Sequence, residues 1–187
     1  MENKDYSKGN LLVAEPFLQD PNFKRSVTLI CEHSPEEGSA GLVLGKKMNM
    51  TLGDAIPDLK KHKYPLYLGG PVANDTLHFL HNFGEELDGS NEVCEGLWWG
   101  GNFERLKIMI DLGAVSPDDI RFFIGYSGWA PGQLEMEMQE ESWFTHPARA
   151  EHIFKKQSTD SLWEQILLEK GGQYKQMINY PEDPQLN

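Results

Sequence analysis

The segment GYSGWAPGQLEME, residues 125–137, combines residue types that are common at binding sites. Three glycines surround a tyrosine and a tryptophan where an apolar strand gives way to a helix that begins near Pro131. Glycines admit a close neighbour, aromatic rings provide flat walls, and the first N–H groups of a helix attract an anion. The segment therefore predicts a ligand or partner site; the alternative is a strand–helix corner whose aromatic rings only fill the core. The predicted contacts are Tyr126, Gly128, Trp129, Gln133 and Glu135.

A second group of polar residues lies in the loop DPNFKRS, residues 20–26, and at the end of the strand that follows it. Loops between strands commonly carry binding residues, and Phe23 is expected to anchor this one in the core. A histidine at the strand end can exchange a proton near neutral pH, although a histidine in a surface turn is the more frequent finding. The predicted contacts from this part of the chain are Asn22, Arg25, Ser26 and His33.

A glycine-rich turn, Gly69–Gly70–Pro71, lies between two predicted strands, and His81 ends the second of them. Glycine backbones allow neighbouring segments to approach closely. We therefore expect this turn, the 20–26 loop and the 125–137 segment to meet at one junction, with His81 near it.

Two functional hypotheses follow from that junction. The first is a binding or regulatory domain that recognises a small polar or anionic ligand or a segment of a partner protein. The second is an enzyme that uses Glu135 with His33 or His81, which requires the carboxylate and an imidazole to lie within about 3–4 Å of each other or of one bound water.

The sequence also excludes several classes of site. The Gly-Gly-Pro turn lacks the downstream Gly-Lys-Ser/Thr of a phosphate-binding loop, and no G-x-G-x-x-G follows a strand. A nucleophile elbow fails because Trp129, two residues after Ser127, stands where that motif has glycine. His78 and His81 point to opposite faces of one strand, so they do not share a metal ion. No metal ion and no cofactor are predicted.

The two cysteines are expected to be unreactive. Cys31 lies in an apolar strand, and Cys94 lies in an acidic stretch that raises rather than lowers the pKa of a thiol. Two cysteines provide neither a disulfide framework nor a four-cysteine zinc site. A soluble protein of the reducing cytoplasm is the simplest interpretation.

The charge argues against direct nucleic-acid binding. The net charge is −12, and residues 1–63 carry equal numbers of acidic and basic side chains, so all of the excess lies in residues 64–187. Affinity for nucleic acid comes largely from Lys and Arg at phosphates. No apolar run approaches the ~18–20 residues of a membrane-spanning helix, and residues 1–10 lack the apolar core of a signal peptide. The predicted partners are a protein or a small molecule, with no nucleic acid and no membrane.

Hydrophobic periodicity and capping residues predict the elements that position these groups. Strands are predicted over residues 11–14, 26–32, 40–44, 65–69, 76–81, 96–99 and 119–126, with loops over 16–25 and 85–95 and a turn over 33–39. Helices are predicted after caps at Thr51 and Asn102, over 132–141, 147–154 and 160–170, and as a short turn at 174–178, before a frayed tail. Paired strands with interspersed helices indicate an α+β fold with a largely antiparallel sheet and one domain over residues 1–187.

Several motifs in the same order resemble the AlgH/YqgE family of bacterial proteins. They are GNLLVAEPFLQDPNFKRSV, AGLVLG, YLGGPV, the Leu80–His81 pair and FIGYSGWAPGQLEME, within residues 9–145. The resemblance implies a cytoplasmic α+β protein whose sheet curls into a pseudo-barrel with helices packed around it. It does not cover the region from about residue 147 to 180, which is expected to be a helical extension.

The resemblance also bears on function and on individual residues. Members of the family are often labelled transcriptional regulators without a recognisable DNA-binding motif, so direct DNA binding ranks below the binding module and the enzyme. The chain departs from the family pattern at Gly45, where relatives have asparagine, so a site that depends on that amide is in doubt. Position 127 is commonly alanine in relatives, in agreement with a Ser127 that has no catalytic role.

Overall fold

Ten strands and six helices follow one another in residues 6–154 and 161–182, the part of the chain that the computed structural model describes. The strands are β1 (Asn10–Ala14), β2 (Val27–Ser34), β3 (Gly38–Leu44), β4 (Lys47–Thr51), β5 (Pro65–Leu68), β6 (Val72–His81), β7 (Asn91–Cys94), β8 (Leu97–Trp99), β9 (Ile120–Trp129) and β10 (Trp143–Pro147). The helices are α1 (Leu52–Ala55), α2 (Phe103–Asp111), α3 (Gln133–Gln139), α4 (Ala150–Phe154), α5 (Leu162–Lys170) and α6 (Tyr174–Met177).

The strands form one mixed sheet in which β9 is central. The hydrogen-bonded path runs β10-β1-β2-β3-β9-β6-β8-β7, and all of its pairs are antiparallel. β5 joins β9 in the parallel sense and carries β4 on its other side. This arrangement confirms the predicted α+β fold with a largely antiparallel sheet. The path is open, because β10 and β7 are not paired with each other.

The sheet curls strongly, and its two halves share a core. Val93 of β7 and Leu97 of β8 belong to the same buried cluster as Leu29 and Cys31 of β2. In a flat sheet β2 and β7 would be five strand spacings apart, about 24 Å. Their common core therefore requires the curvature that the family resemblance implied.

The C-terminal helices complete that core. Trp163 of α5 is 2% exposed, and its indole Nε1 donates a hydrogen bond to the carbonyl oxygen of Ala14 at 2.7 Å. Ile166 and Leu167 on the same helix are fully buried in the cluster that includes Leu11. The helices thus cover the inner face of β1 and β2. No helix in the described ranges has both the length and the apolarity to span a membrane.

Local capping signals correctly locate two helix starts. Thr51 and Asp54 form a reciprocal capping box at α1, in which the Asp54 carboxylate accepts from the Thr51 N–H at 2.8 Å. The Asn102 side chain accepts from the Arg105 N–H at 3.0 Å at the start of α2. Leu106 and Ile110 of α2 are buried in the core.

Three short strands differ from the sequence-based prediction. The acidic stretch 85–95 was expected to be a loop, yet it contains β7, in which Val93 is buried while Glu92 is exposed. β4 and β10 were not predicted. All three lie at the margins of the sheet, where pairing with a neighbour rather than local hydrophobicity decides that a strand forms. The first residue of the predicted 147–154 helix, Pro147, is instead the last of β10, and α4 begins at Ala150.

The remaining differences concern element ends. The predicted turn 33–39 is tighter, because β2 continues to Ser34 and β3 begins at Gly38. β9 extends to Trp129 instead of ending at residue 126, and α3 is shorter than the predicted 132–141 helix. Asp160 and residues 183–187 lie outside the described residues.

Candidate functional site

The corner between β9 and α3 is organised by one carboxylate. Oε2 of Glu137 accepts the indole N–H of Trp129 at 2.9 Å and that of Trp143 at 2.8 Å, while Oε1 accepts from Nε2 of Gln133 at 2.9 Å. Oε1 of Gln133 in turn accepts the backbone N–H of Ala130 at 3.0 Å. Charge-assisted hydrogen bonds of this kind are stronger than neutral ones. Trp129 and Gln133 are therefore held in place by the protein itself.

The Gly-Gly-Pro turn crosses closely over β9, as the predicted junction requires. A Cβ atom on Gly70 would lie 2.3 Å from the carbonyl oxygen of Tyr126, and one on Gly69 would lie 2.3 Å from that of Gly125. The Ser127 hydroxyl is fully buried and donates to the Gly69 carbonyl oxygen at 3.2 Å. Only glycines permit this close crossing. The Ser127 hydroxyl stabilises it through its hydrogen bond to Gly69. Pro71, which follows, is exposed.

The 20–26 loop reaches the corner through Phe23 but not through its polar side chains. The Phe23 ring lies 6.0 Å from that of Trp129. Arg25 instead points to the C-terminal region, where its guanidinium stacks at 5.1 Å on Trp163 and donates to the carbonyl oxygen of Tyr180. Ser26 is buried, and the backbone carbonyl of Asn22 accepts from the Lys46 ammonium.

A polar groove of about 600 Å³ opens between the β2–β3 hairpin and the end of β9. We define it by Glu32, His33 and Ser39 on the hairpin and by Tyr126, Gly128 and Trp129 on β9. The His33 ring shares a hydrogen bond with the Ser39 hydroxyl, Nδ1 to Oγ at 2.8 Å. The groove brings four of the predicted site residues together: His33, Tyr126, Gly128 and Trp129.

A smaller cavity of about 170 Å³ adjoins the polar groove and contains Glu135. His33, Ser39 and Ala130 line both spaces. Of the two histidines considered for acid–base chemistry, His33 thus shares a cavity with Glu135.

His81 lies elsewhere and has a structural environment. It is fully buried, and its Nδ1 accepts the N–H of Phe83 at 3.2 Å. Because Nδ1 is an acceptor, the neutral ring carries its proton on Nε2, which lies 2.9 Å from the Gly100 carbonyl oxygen and 3.1 Å from the Ser90 hydroxyl. Burial lowers the pKa of His81, against a smaller opposing effect of the Gly100 hydrogen bond.

Next to the polar groove lies an aromatic pocket of about 510 Å³, a volume typical of small-molecule sites. We define it by Leu77, His78, Phe79, Trp99 and Phe103, with Glu32 and Asn91 as its polar lining. Glu32 is exposed and lines both this pocket and the polar groove.

His78 lies between the aromatic pocket and the polar groove, in contact with a ring of each. Its ring stacks on Trp99 with centroids 5.9 Å apart and meets the ring of Tyr126 edge-on at 5.6 Å. Its Nε2 lies 3.0 Å from the Thr76 hydroxyl, and burial lowers its pKa. The uncharged ring therefore adds to the flat aromatic wall.

The sequence-based site did not include His78, Trp99, Glu32 or Asn91. The available signal was strand alternation, which places His78 on the face of β6 opposite to His81. The pairing of β6 with β8 brings Trp99 beside it, and nothing in the local sequence indicates that pairing. Trp99 also precedes two glycines, a pattern that could have drawn attention to this segment.

Both thiols behave as expected. Burial raises the pKa of Cys31, and burial followed by the charges of Glu92 and Glu95 raises the pKa of Cys94. Both cysteines are free. A thiolate nucleophile is therefore disfavoured at neutral pH.

Gly45, where the sequence departs from the family pattern, has a left-handed backbone conformation with φ of +85°. Asparagine is among the few other residues that adopt this region readily. The backbone at this position thus accommodates either residue, while the amide is absent here.

Solved structures share this fold over almost the whole chain. A crystal structure of a Corynebacterium diphtheriae protein superimposes with a TM-score of 0.77 at 24% identity, covering 96% of this chain and 95% of that one. The solution structure of the AlgH protein from Pseudomonas aeruginosa gives a TM-score of 0.73 at 26% identity, covering 97% and 98%.

Sequence relatives are closer. A UPF0301 protein of Chlorobium limicola is 44% identical over 179 residues, which cover 96% of this chain and 95% of that protein. A UPF0301 protein of Cytophaga hutchinsonii is 41% identical over 182 residues, covering 97% and 99%. The AlgH-like family model matches residues 11–175, so the likeness continues through α4 and α5 and does not end near residue 147 as the motifs alone suggested. The chain therefore belongs to the AlgH-like family.

Proposed function

We propose that this protein is a binding module whose site is formed by the polar groove and the aromatic pocket together. The ligand is a small molecule with a flat apolar part, which stacks in the aromatic pocket, and a polar, positively charged part, which lies along the groove. The observation that carries the proposal is Glu32, whose exposed side chain lines both cavities. A pocket with aromatic walls and a few polar groups is the usual form of a small-molecule site.

The charges around the site favour a cation over an anion. Glu32 and Glu37 line the groove and Glu135 lines the adjoining cavity, and Lys8 is the one Lys or Arg among the described residues that lines either space. The α3 helix is only seven residues long, and the Gln133 side chain already accepts from the Ala130 N–H, three residues before the helix begins. Of the ligands considered from the sequence, a polar one therefore has more support than an anionic one.

An enzymatic function is the second candidate, and the cavity shared by His33 and Glu135 favours it. In that function His33 exchanges the proton, and Ser39 orients its ring through the Nδ1 contact. A role for His81 in the same reaction has no support, because its ring is enclosed by Gly100 and Phe83.

We place the protein in the cytoplasm, with a small molecule or a protein as its partner. The excess of acidic side chains argues against direct binding to duplex DNA. In a gel-shift experiment at about 150 mM salt, we expect no retardation of duplex DNA by the purified protein. Retardation under these conditions would contradict this part of the proposal.

Thermal-shift measurements with three sets of compounds test the ligand class. Aromatic amines such as tryptamine should raise the unfolding temperature more than aliphatic amines or aromatic carboxylates of similar size. Glu32→Gln should weaken the binding of the amines about tenfold, and Trp99→Leu should remove the preference for the ring. Trp98→Leu, one residue away, is the control, because Trp98 does not line the pocket.

Two results would reject the proposal. One is the absence of a shift with any aromatic amine, and the other is an equal shift in the wild type and in Glu32→Gln. A hydrolytic or isomerising activity lost in His33→Gln would instead support the second candidate.

A further inference from the structure

We propose that His146, His152 and Glu169 form a binding site for a divalent transition-metal ion such as Zn²⁺, with no residue in common with the ligand site. Among the described residues, these three are the one group of His, Cys, Asp and Glu side chains whose ligand atoms all lie within 4.8 Å of one another. They come from β10, α4 and α5 respectively. Two imidazoles with one carboxylate are the protein ligands of many zinc sites that keep a fourth position for water.

The distances within the group suit such an ion. Nε2 of His146 lies 3.2 Å from Oε2 of Glu169, and Nε2 of His152 lies 3.3 Å from the same oxygen. Tetrahedral zinc with bonds of about 2.0–2.1 Å places its ligand atoms roughly 3.3 Å apart. The two ring nitrogens lie within 4.8 Å of each other, so the rings must approach by up to about 1.5 Å to hold the ion.

The group is preorganised on its buried side and open on the other. The side chains of His146 and His152 are 14% and 4% exposed, whereas that of Glu169 is 36% exposed. The histidines are thus fixed by packing, and water can reach the carboxylate. Imidazole ligands favour zinc and related ions over Mg²⁺ and Ca²⁺, which prefer oxygen.

Arg149 competes with the ion in two ways. Its Nη2 donates to Oε2 of Glu169 at 2.7 Å, and its backbone N–H donates to Nδ1 of His152 at 3.1 Å. A metal ion on Nε2 leaves the ring proton on Nδ1, so the contact with the backbone N–H must open when the ion binds, and the guanidinium competes with the ion for the negative charge of Glu169. Arg149 is exposed, and water can replace the protein acceptors of its donors. The side chain therefore lowers the metal affinity without blocking the site.

Titration of the untagged full chain with Zn²⁺, after treatment with a chelator, tests the proposal by calorimetry. We expect one equivalent to bind, and Co²⁺ bound in the same place should give the visible absorption of a tetrahedral complex. His146→Gln and Glu169→Gln should each weaken binding at least tenfold. His62→Gln is the matched control, because His62 also pairs with a carboxylate, that of Asp111 at 2.9 Å, but lacks a third ligand.

Arg149→Ala provides an independent readout, because removal of the competing guanidinium should tighten Zn²⁺ binding several-fold. Thermal unfolding of each variant without metal shows whether it is folded. Because His146→Gln and Glu169→Gln remove different ligands, the test remains possible if one of them does not fold. The proposal is overturned if no saturable binding is seen, or if His146→Gln and Glu169→Gln bind as tightly as His62→Gln. Unchanged affinity in Arg149→Ala would also overturn it.

Discussion

Trp129 and Trp143 donate their indole N–H groups to the same oxygen of one carboxylate, at 2.9 and 2.8 Å. Trp129 ends β9 and Trp143 begins β10, so this shared acceptor, on Glu137, ties the centre of the sheet to its margin. Trp129 also belongs to the lining of the polar groove, although the residue is 4% exposed and packs in the core. The corner therefore both stabilises the sheet and contributes to the lining of the proposed ligand site.

The three hydrogen bonds accepted by Glu137 predict that a conservative substitution there greatly lowers stability. Glu137→Gln should lower the free energy of unfolding by about 2–3 kcal/mol, because an amide replaces an acceptor that serves three donors. Urea denaturation measures the change. Glu135→Gln, two residues earlier and exposed, should change the stability by less than about 0.5 kcal/mol. Equal losses in the two variants would contradict the assigned role of Glu137.

The glycine crossing predicts that Gly70→Ala is severely destabilising. The added Cβ would lie 2.3 Å from backbone atoms of Tyr126, which have no room to move within the sheet. We expect a loss of at least about 3 kcal/mol in thermal or urea unfolding. Gly96→Ala is the control, because it also has positive φ but no atom within 4 Å of its Cβ, so it should cost about 1–2 kcal/mol from backbone strain alone. Similar losses at both positions would argue against the crowding.

Burial of His81 predicts a pH dependence of stability. Its pKa in the folded protein is lowered, so above about pH 6.5, the value for an unfolded chain, both states are neutral and the full stability is present. As the pH falls below that value, the unfolded state takes up a proton that the folded state does not, and the stability decreases. Urea unfolding between pH 8 and pH 5 should show this decrease.

His81→Gln separates His81 from other histidines whose pKa burial also lowers, such as the half-buried His78. The glutamine can still donate to the Gly100 carbonyl but has no ionisable ring. The variant should be less stable than the wild type at pH 8 and should lose less stability on acidification. Parallel pH profiles in the two proteins would contradict the assignment.

The raised thiol pKa values predict slow alkylation. Iodoacetamide at pH 7.5 should modify Cys94 more slowly than it modifies a small thiol such as glutathione, because burial and two glutamates disfavour the thiolate. Cys31, 1% exposed, should react only in denaturant. Mass spectrometry with Cys94→Ser as the control assigns the modified residue. Rapid modification of either cysteine in the folded protein would contradict the prediction.

The features that could be predicted from the sequence are those that depend on residues close together along the chain. Buried strands such as β1 and the caps at Thr51 and Asn102 follow from local pattern and side-chain hydrogen bonds. β7 could not be predicted in this way. Its one buried residue, Val93, lies in no hydrophobic run, and the strand forms because it pairs with β8.

The same distinction applies to the site. The sequence indicated that the Gly70 turn would meet the 125–137 segment, and it does. It also placed Arg25 at this junction, but the attraction of Trp163 and the Tyr180 carbonyl draws that side chain elsewhere. The stacking of His78 on Trp99 depends on a strand order that no single segment encodes.

The open path of the sheet leaves β10 as a terminal strand, with backbone groups on its outer side. Lys170, at the end of α5, donates its ammonium group to the carbonyl oxygen of Thr145 on that strand at 2.9 Å. A charged side chain across a terminal strand removes an acceptor that a second molecule would need for edge-to-edge pairing. This contact thus hinders edge-to-edge pairing at β10, and the helix that carries it also fills the core.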